Sequence, residues 1–310
     1  MTVPRVSVLI VSWNTRTLTL ACLDALPAAA GEVPFESIVV DNASVDGSGE
    51  ALAARTDVDL VRNAENRGFA EAVNQAYRRS RGALVLLLNS DVTFAPGQLA
   101  RLVGFLDRTP RAAGVAPLYR NPDGTAQSFH YELPTYAQVL ATGSALLRRL
   151  PALARAAERH AVDAGPIAEP RPVPQPSASC LLLRRSCLEA ERVLDERYPV
   201  FFNDVQLARA LAAGGHELWV TPEVVVTHES HASTRQGGSA LKRHYVASAI
   251  RLLEDTEPAH RVWAYRALVL AQGVSTLALR RPDALGLRDL WAAARGDPGP
   301  LPAAPAAPRR

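Results

Sequence analysis

Three aspartates and one histidine stand where apolar runs give way to polar residues. Asp91 follows "ALVLLLNS" (83–90), Asp41 follows "ESIVV", Asp204 follows "FFN", and His228 ends "VVVTH". An ionised carboxylate at the end of a buried strand faces a large desolvation cost unless it is solvated, paired or bound to a metal. Each residue also has a plainer reading. Asp91 and Asp41 could be turn formers, Asp204 a helix cap, and His228 a loop histidine with a local hydrogen bond. Their joint placement argues for more than that.

The elements that must carry them alternate between two periods. "RVSVLIVSW" (5–13), "ESIVVDNAS" (36–44), "VDLVRN" (58–63), "ALVLLLN" (83–89) and "AAGVAPLYR" (112–120) read as strands. "TRTLTLACLDAL" (15–26), stopped by Pro27, "DGSGEALAAR" (46–55), "GFAEAVNQAYRRS" (68–80) and "PGQLARLVGFLDR" (96–108) read as helices. Strands alternating with helices predict a mostly parallel sheet covered on both faces, and the unbroken apolar runs agree with burial on both sides. In such sheets ligands bind beyond the carboxyl ends of the strands. Those ends are "SWN" (12–14), "DNAS" (41–44), "RNAENRG" (62–68) and "NSD" (89–91), all polar.

Further along, residues 144–176 combine a basic amphipathic stretch with "PIAEPRPVPQP" and are expected to form a mobile insertion. "SASCLLLRRSCLEA" (177–190) reads as a strand and the start of a helix. "FFNDVQLARALAAGGHELWV" (201–220) reads as a helix ended by Gly214 and Gly215, then a strand. The expected division is residues 1–238 as one α/β domain, 239–295 as a helical segment and 296–310 as a disordered tail.

Bulk properties exclude some classes. The net charge of +3 over 310 residues is too small to argue for nucleic acid. Residues 242–310 hold 11 Lys/Arg against 6 Asp/Glu, so the charge is concentrated there. Such a segment suits an anionic membrane surface or anionic substrate, or is simply a solvated face. Cys22, Cys180 and Cys187 have neither a disulfide framework nor metal-site spacing, which fits a reducing, cytoplasmic setting. No apolar run is long enough for a signal core or a spanning helix.

Taken together, "VSVLIVSWN" (6–14), "VVDNASVDGS" (39–48), "NRGFAEAVNQAYRRSRGALVLLLNSDV" (66–92), "CLLLRR" (180–185), "LDERYPVFFNDVQLARALAAGG" (194–215) and "VVVTHESHAST" (224–234) resemble the inverting family 2 glycosyltransferases with the GT-A fold. Within that family the likeness is to the rhamnosyltransferase-like group. The resemblance implies an α/β GT-A fold with a Rossmann-like, mostly parallel sheet and a helical C-terminal extension. It implies transfer of a sugar from a uridine or thymidine diphosphate donor to a saccharide hydroxyl of a lipid-linked or other cell-envelope glycan. Ser12, Trp13, Asn14, Asp41, Asn42, Gly68, Asn89, Ser90 and Arg235 would bind the donor, with Asp41 on the base. Gly68 would let the "NRGF" backbone approach the nucleotide, and Asn74 would support that loop from below. "NSD" takes the place of the family's metal motif, so Asp91, joined by His228 or its neighbour His231, would hold Mn2+ or Mg2+. Asp204 would be the general base toward the acceptor hydroxyl.

Two departures stand out. Asn203 replaces a usual Glu and Gln206 a frequent Asp, which bears on the acceptor more than on the donor. The loss at Asn203 also keeps a non-catalytic nucleotide-sugar binding module as an alternative. A nucleotidyltransferase would need a Gly-rich phosphate loop after the first strand, and "VSWNTRTLTL" has none. Peripheral contact at the inner face of the membrane fits the basic C-terminal helices.

Overall fold

The computed structural model describes residues 3–143, 147, 150–158, 161–162, 167–229, 238–278 and 285–303. In chain order its elements are β1 (Val6–Ser12), α1 (Arg16–Ala30), β2 (Phe35–Asp41), α2 (Ser48–Ala53), β3 (Asp59–Arg62), α3 (Phe69–Arg79), β4 (Leu84–Asn89), β5 (Val92–Thr93), α4 (Gln98–Arg108), β6 (Ala112–Arg120), β7 (Ala126–Gln127) and β8 (His130–Tyr131). There follow α5 (Tyr136–Gly143), α6 (Pro151–Glu158), β9 (Ala161–Val162), β10 (Arg171–Val173), β11 (Gln175–Pro176), β12 (Cys180–Arg184), α7 (Asn203–Ala213), β13 (Glu217–His228), α8 (Gly238–Thr256), α9 (Ala259–Ala278) and α10 (Leu287–Ala294).

The main sheet runs β10-β13-β6-β12-β4-β1-β2-β3. β4, β1, β2 and β3 are parallel, as are β6 and β13, while β12 runs antiparallel between β4 and β6. This is the expected mostly parallel α/β sheet. β1 and β4 are Val/Leu/Ile runs buried almost throughout, because helices cover both faces. α3 supplies one cover. Ala70, Val73, Ala76 and Tyr77 repeat at helical spacing and are buried, while Arg78 and Arg79 end the helix where its dipole favours cations. α1 continues past Pro27 to Ala30, farther than that proline suggests, and Gly31 N–H closes on the Pro27 carbonyl.

A second core lies among α5 and α7–α10, around Val139, Tyr198, Val205, Ile250, Leu253, Tyr265 and Leu290. No described helix is long and apolar enough to cross a membrane. Two stretches depart from expectation. Within the supposed mobile insertion, Arg171–Val173 joins the sheet edge by pairing with Leu218–Val220, and Gln175–Pro176 pairs with β8. Residues 296–303, expected to be disordered, run back over the sheet's carboxyl edge. Arg243 donates to the Asp297 carbonyl at 3.1 Å and to its carboxylate at 3.0 Å, and with His244 and Asn66 it supplies, from distant parts of the chain, the order their composition seemed to deny.

Candidate active site

The carboxyl ends of β1, β2 and β4 lie side by side, with Ser12 in register with Asp41 and Val11 with Asn89. The ends of β2 and β4 are therefore about 10 Å apart across two strand spacings, with Asp41 closing the one and Asp91 two residues past the other. Between them sits a buried hydroxyl cluster: Ser12 Oγ is 2.9 Å from Thr19 Oγ1, and Thr15 Oγ1 is 3.0 Å from Ser90 Oγ. Each such bond contributes about 1 kcal/mol net. Ser12 and Ser90 thus brace the turn floor. Trp13 is buried beside them, and its indole N–H has no partner among the described residues.

Asp41 lines a cleft of about 890 Å3 with Ser44, Arg62, Asn66 and Arg67. Its side chain is 3% exposed, accepts from Ser44 N–H at 3.2 Å and lies 3.8 Å from Arg62 Nε. Asn14, at φ +53°, holds the opposite lip: its Oδ1 accepts from Val45 N–H at 2.8 Å, and its own N–H donates to Ser44 Oγ. Asn42 does other work. Its amide nitrogen donates to Asn66 Oδ1 and the Gly68 carbonyl, and its oxygen accepts from Asn63 Nδ2 and Arg67 N–H. It clasps the 63–68 loop. Gly68, at φ +85°, is required for a different contact from the expected one. A Cβ there would come 2.8 Å from the Pro199 carbonyl, which accepts from Phe69 and Ala70 N–H. Asn74 anchors the same neighbouring segment, accepting from Val193 and Leu194 N–H and donating to the Leu194 carbonyl and Glu196. It supports the 193–196 stretch, not the "NRGF" turn.

Asp91 and His228 meet because of strand pairing. β5 begins immediately after Asp91 and pairs antiparallel with the end of β13, setting His228 opposite Val92. β13 reaches that far only by a register irregularity between Thr221 and Val225. His228 Nε2 then lies 3.4 Å from Asp91 Oδ1, both side chains nearly enclosed. The hydrogen-bond network fixes the imidazole tautomer. Gln127 Nε2 donates to Asn121 Oδ1 and to the His228 carbonyl, both at 2.6 Å, so Gln127 Oε1 is the acceptor for His228 Nδ1–H at 3.0 Å. In the neutral ring the Nε2 lone pair then points at a carboxylate. Two acceptors at that distance repel unless a proton or cation lies between them. Among the described residues no three His, Cys, Asp or Glu side chains form a metal cluster. The pair fits a divalent cation that takes its other ligands from a substrate and water, and an imidazole among oxygen ligands favours Mn2+ over Mg2+. Asn89 turns away toward β12, donating to Ser179 Oγ at 3.2 Å.

Asp204 opens α7, and its Oδ1 accepts from Val205 N–H at 2.9 Å. Gln175 Nε2 donates to its Oδ2 at 3.0 Å from β11. β11 pairs with β8, which follows β7 and Gln127 by two residues. Gln127 and Tyr131 are four residues apart, which bounds their Cα separation at about 14 Å. The phenol of Tyr131 titrates above its ordinary value, from burial first and then the Asp204 charge. Asn203, at 4% exposure, donates to the Val200 carbonyl at 2.8 Å and the Tyr198 carbonyl at 3.4 Å. Gln206 donates to Asp255 on α8. Both departures from the family pattern thus have structural partners here. Arg235 and His231 lie outside the described residues. Sequence reasoning missed Gln127 and Gln175. Asp123-Gly124, a turn pair before "TAQ", was the available signal for the β6–β7 hairpin that presents Gln127.

The sequence profile described as Glycosyl transferase family 2 matches residues 7–189. The chain is a family 2 glycosyltransferase. The N-acetylglucosaminyl-diphospho-decaprenol L-rhamnosyltransferase of Mycobacterium tuberculosis is 30% identical to this glycosyltransferase over 243 residues, 73% of this chain and 76% of that protein. A mannosyltransferase from Pyrobaculum calidifontis, solved with GDP-Man and Mn2+, superposes with a TM-score of 0.55 at 20% identity, covering 96% of this chain and 88% of that one. GalNAc-T7, solved with UDP, GalNAc and Mn2+, gives 0.54 at 15% identity over 82% and 48%. These likenesses establish the GT-A fold. The profile match ends before Asp204 and His228, so the glycosyltransferase's own geometry must speak for those two residues.

Proposed function

We propose that the enzyme transfers a deoxyhexose of the rhamnose type, with inversion, from a uridine or thymidine diphosphate donor to a saccharide hydroxyl. The acceptor is a lipid-linked glycan of the cell envelope. The observation that carries this reading is the fixed imidazole of His228 facing Asp91 just past the end of β4, two strands along the sheet edge from the Asp41 cleft. That interval suits a nucleoside seated at Asp41 and a diphosphate at Asp91. The M. tuberculosis relative, named for an L-rhamnosyl donor and a diphospho-decaprenol acceptor, supports the sugar and acceptor classes.

The chain's residues divide the work. Asp41 accepts the imide N–H of uracil or thymine. Asp91 and His228 hold Mn2+ or Mg2+, and Gln127 orients His228. The bound cation supplies Lewis-acid neutralisation of the diphosphate leaving group. Asp204 takes the acceptor hydroxyl proton as that oxygen attacks the anomeric carbon from the opposite face. Gln175 aims its carboxylate. A binding module without turnover is the poorer reading, because Asn203 is a structural amide and Asp204 keeps its acid.

The test is Asp204→Asn assayed with dTDP- and UDP-sugars and a polyprenyl-diphosphate saccharide. Turnover should fall by about 10²- to 10⁴-fold with donor affinity unchanged. Wild-type turnover in this variant would defeat the assignment.

A further inference from the structure

The cleft beside Asp41 has one wall that does not come from the sheet. Gly299, Pro300, Leu301 and Ala303 line it opposite Arg62 and Asn66. This strap is pinned at four points. Arg243 binds Asp297, whose Oδ1 accepts from Gly299 N–H at 2.8 Å. His244 Nε2–H donates to the Pro300 carbonyl at 3.2 Å, and Asn66 Nδ2 donates to the Pro302 carbonyl at 3.1 Å. Leu301 reaches the backbone at Gly68, where a Cβ would lie 3.1 Å from its Cδ1. Gly299 adopts φ +65°, and a Cβ there would collide with the Arg243 guanidinium. A segment held this specifically is a built wall, and the cleft stays open beneath it at about 890 Å3, within the usual size of a small-ligand site.

We infer that the 299–303 strap is part of the donor site: Leu301 packs against the nucleoside of the bound nucleotide and so helps set donor affinity. This rests on the Asp41 cleft being the nucleoside pocket. The chemistry is complementary. Arg62, Asn66 and Asp41 offer polar groups on the sheet side, and Pro300 and Leu301 offer apolar surface to a base or ribose face on the other. Asn66 links the two walls, since its Oδ1 also accepts from Asn42 Nδ2 and Gly68 N–H.

The experiment titrates UMP, UDP, dTMP and dTDP against full-length wild type, Leu301→Ala, Gly299→Val and Asp41→Asn, with melting temperatures confirming the fold. Both strap variants should bind about three- to tenfold more weakly, by the same factor for mono- and diphosphates, because the strap touches only the nucleoside end. Unchanged or tighter binding in both strap variants, or a loss confined to diphosphates, overturns the inference. If Asp41→Asn weakens binding while the strap variants do not, the pocket assignment stands and the strap falls. If wild type binds none of the four, both fall.

Discussion

His228 Nε2 faces Asp91 Oδ1 at 3.4 Å, and the imidazole is locked from behind by Gln127. The ring cannot rotate to escape the carboxylate without giving up that hydrogen bond. In the proposed metal site this lock aims the imidazole, so removing it should be felt in cation binding.

Gln127→Ala is expected to weaken Mn2+ binding about 10- to 100-fold, the usual cost of losing an orienting partner behind a metal-bound histidine. Mn2+ titration in the presence of UDP, read by electron paramagnetic resonance, checks this. Melting temperature should change little, because Gln127 sits in a two-residue strand at the sheet's margin.

Gly68→Ala should destabilise the fold by about 1–3 kcal/mol, since the residue holds φ +85° and has the Pro199 carbonyl in the place of a side chain. Urea denaturation measures it. A shift of less than a few tenths would mean that the 199 loop yields freely.

Asn203→Glu restores the residue usual in the family and is expected to harm this chain. The buried amide donates to two carbonyls, and a carboxylate in its place would face both as a fellow acceptor. A loss of about 1–3 kcal/mol follows. No gain in turnover should accompany it, which a parallel activity assay would show.

Asp46 gives the acid limb of stability a local origin. Burial disfavours its charge, but hydrogen bonds from Ser48 Oγ and from the N–H groups of Arg16 and Ser48 outweigh that and hold the carboxyl below its ordinary 3.8. Its folded value lies below its unfolded one. The stabilisation is thus complete above the ordinary value and is lost as pH falls through the folded value. The melting-temperature gap between wild type and Asp46→Asn should be widest near neutrality and narrow as the pH falls below the ordinary 3.8.

Much of this was legible from residue order. Uninterrupted apolar strands such as "VLLLN" set which residues end at the sheet's carboxyl edge, with Asp41 closing β2 and Ser90 and Asp91 following β4. Roles within the edge were harder to read, because they depend on where amides point. Asn42 and Gly68 look like ligand groups in sequence, yet one clasps a loop and the other yields room to Pro199. Gln127 and Gln175 reach the site from two-residue strands too short for any periodicity. The wall at 299–303 was hidden for a related reason. Proline-rich composition predicts a lack of local structure, and here order comes from contacts with Arg243, His244 and Asn66, which are distant in sequence.

The reversed direction of β12 has a consequence for how such an enzyme can diversify. Because that strand enters from the carboxyl edge of β4, where Ser179 accepts from Asn89 N–H, the short loop between β11 and β12 lies beside the candidate site. Doubling the length of a flexible excursion costs only about 0.6 kcal/mol in closure entropy. A longer loop at 177–179 would therefore cost the fold little, while the hydrophobic slab beneath it would stay as it is.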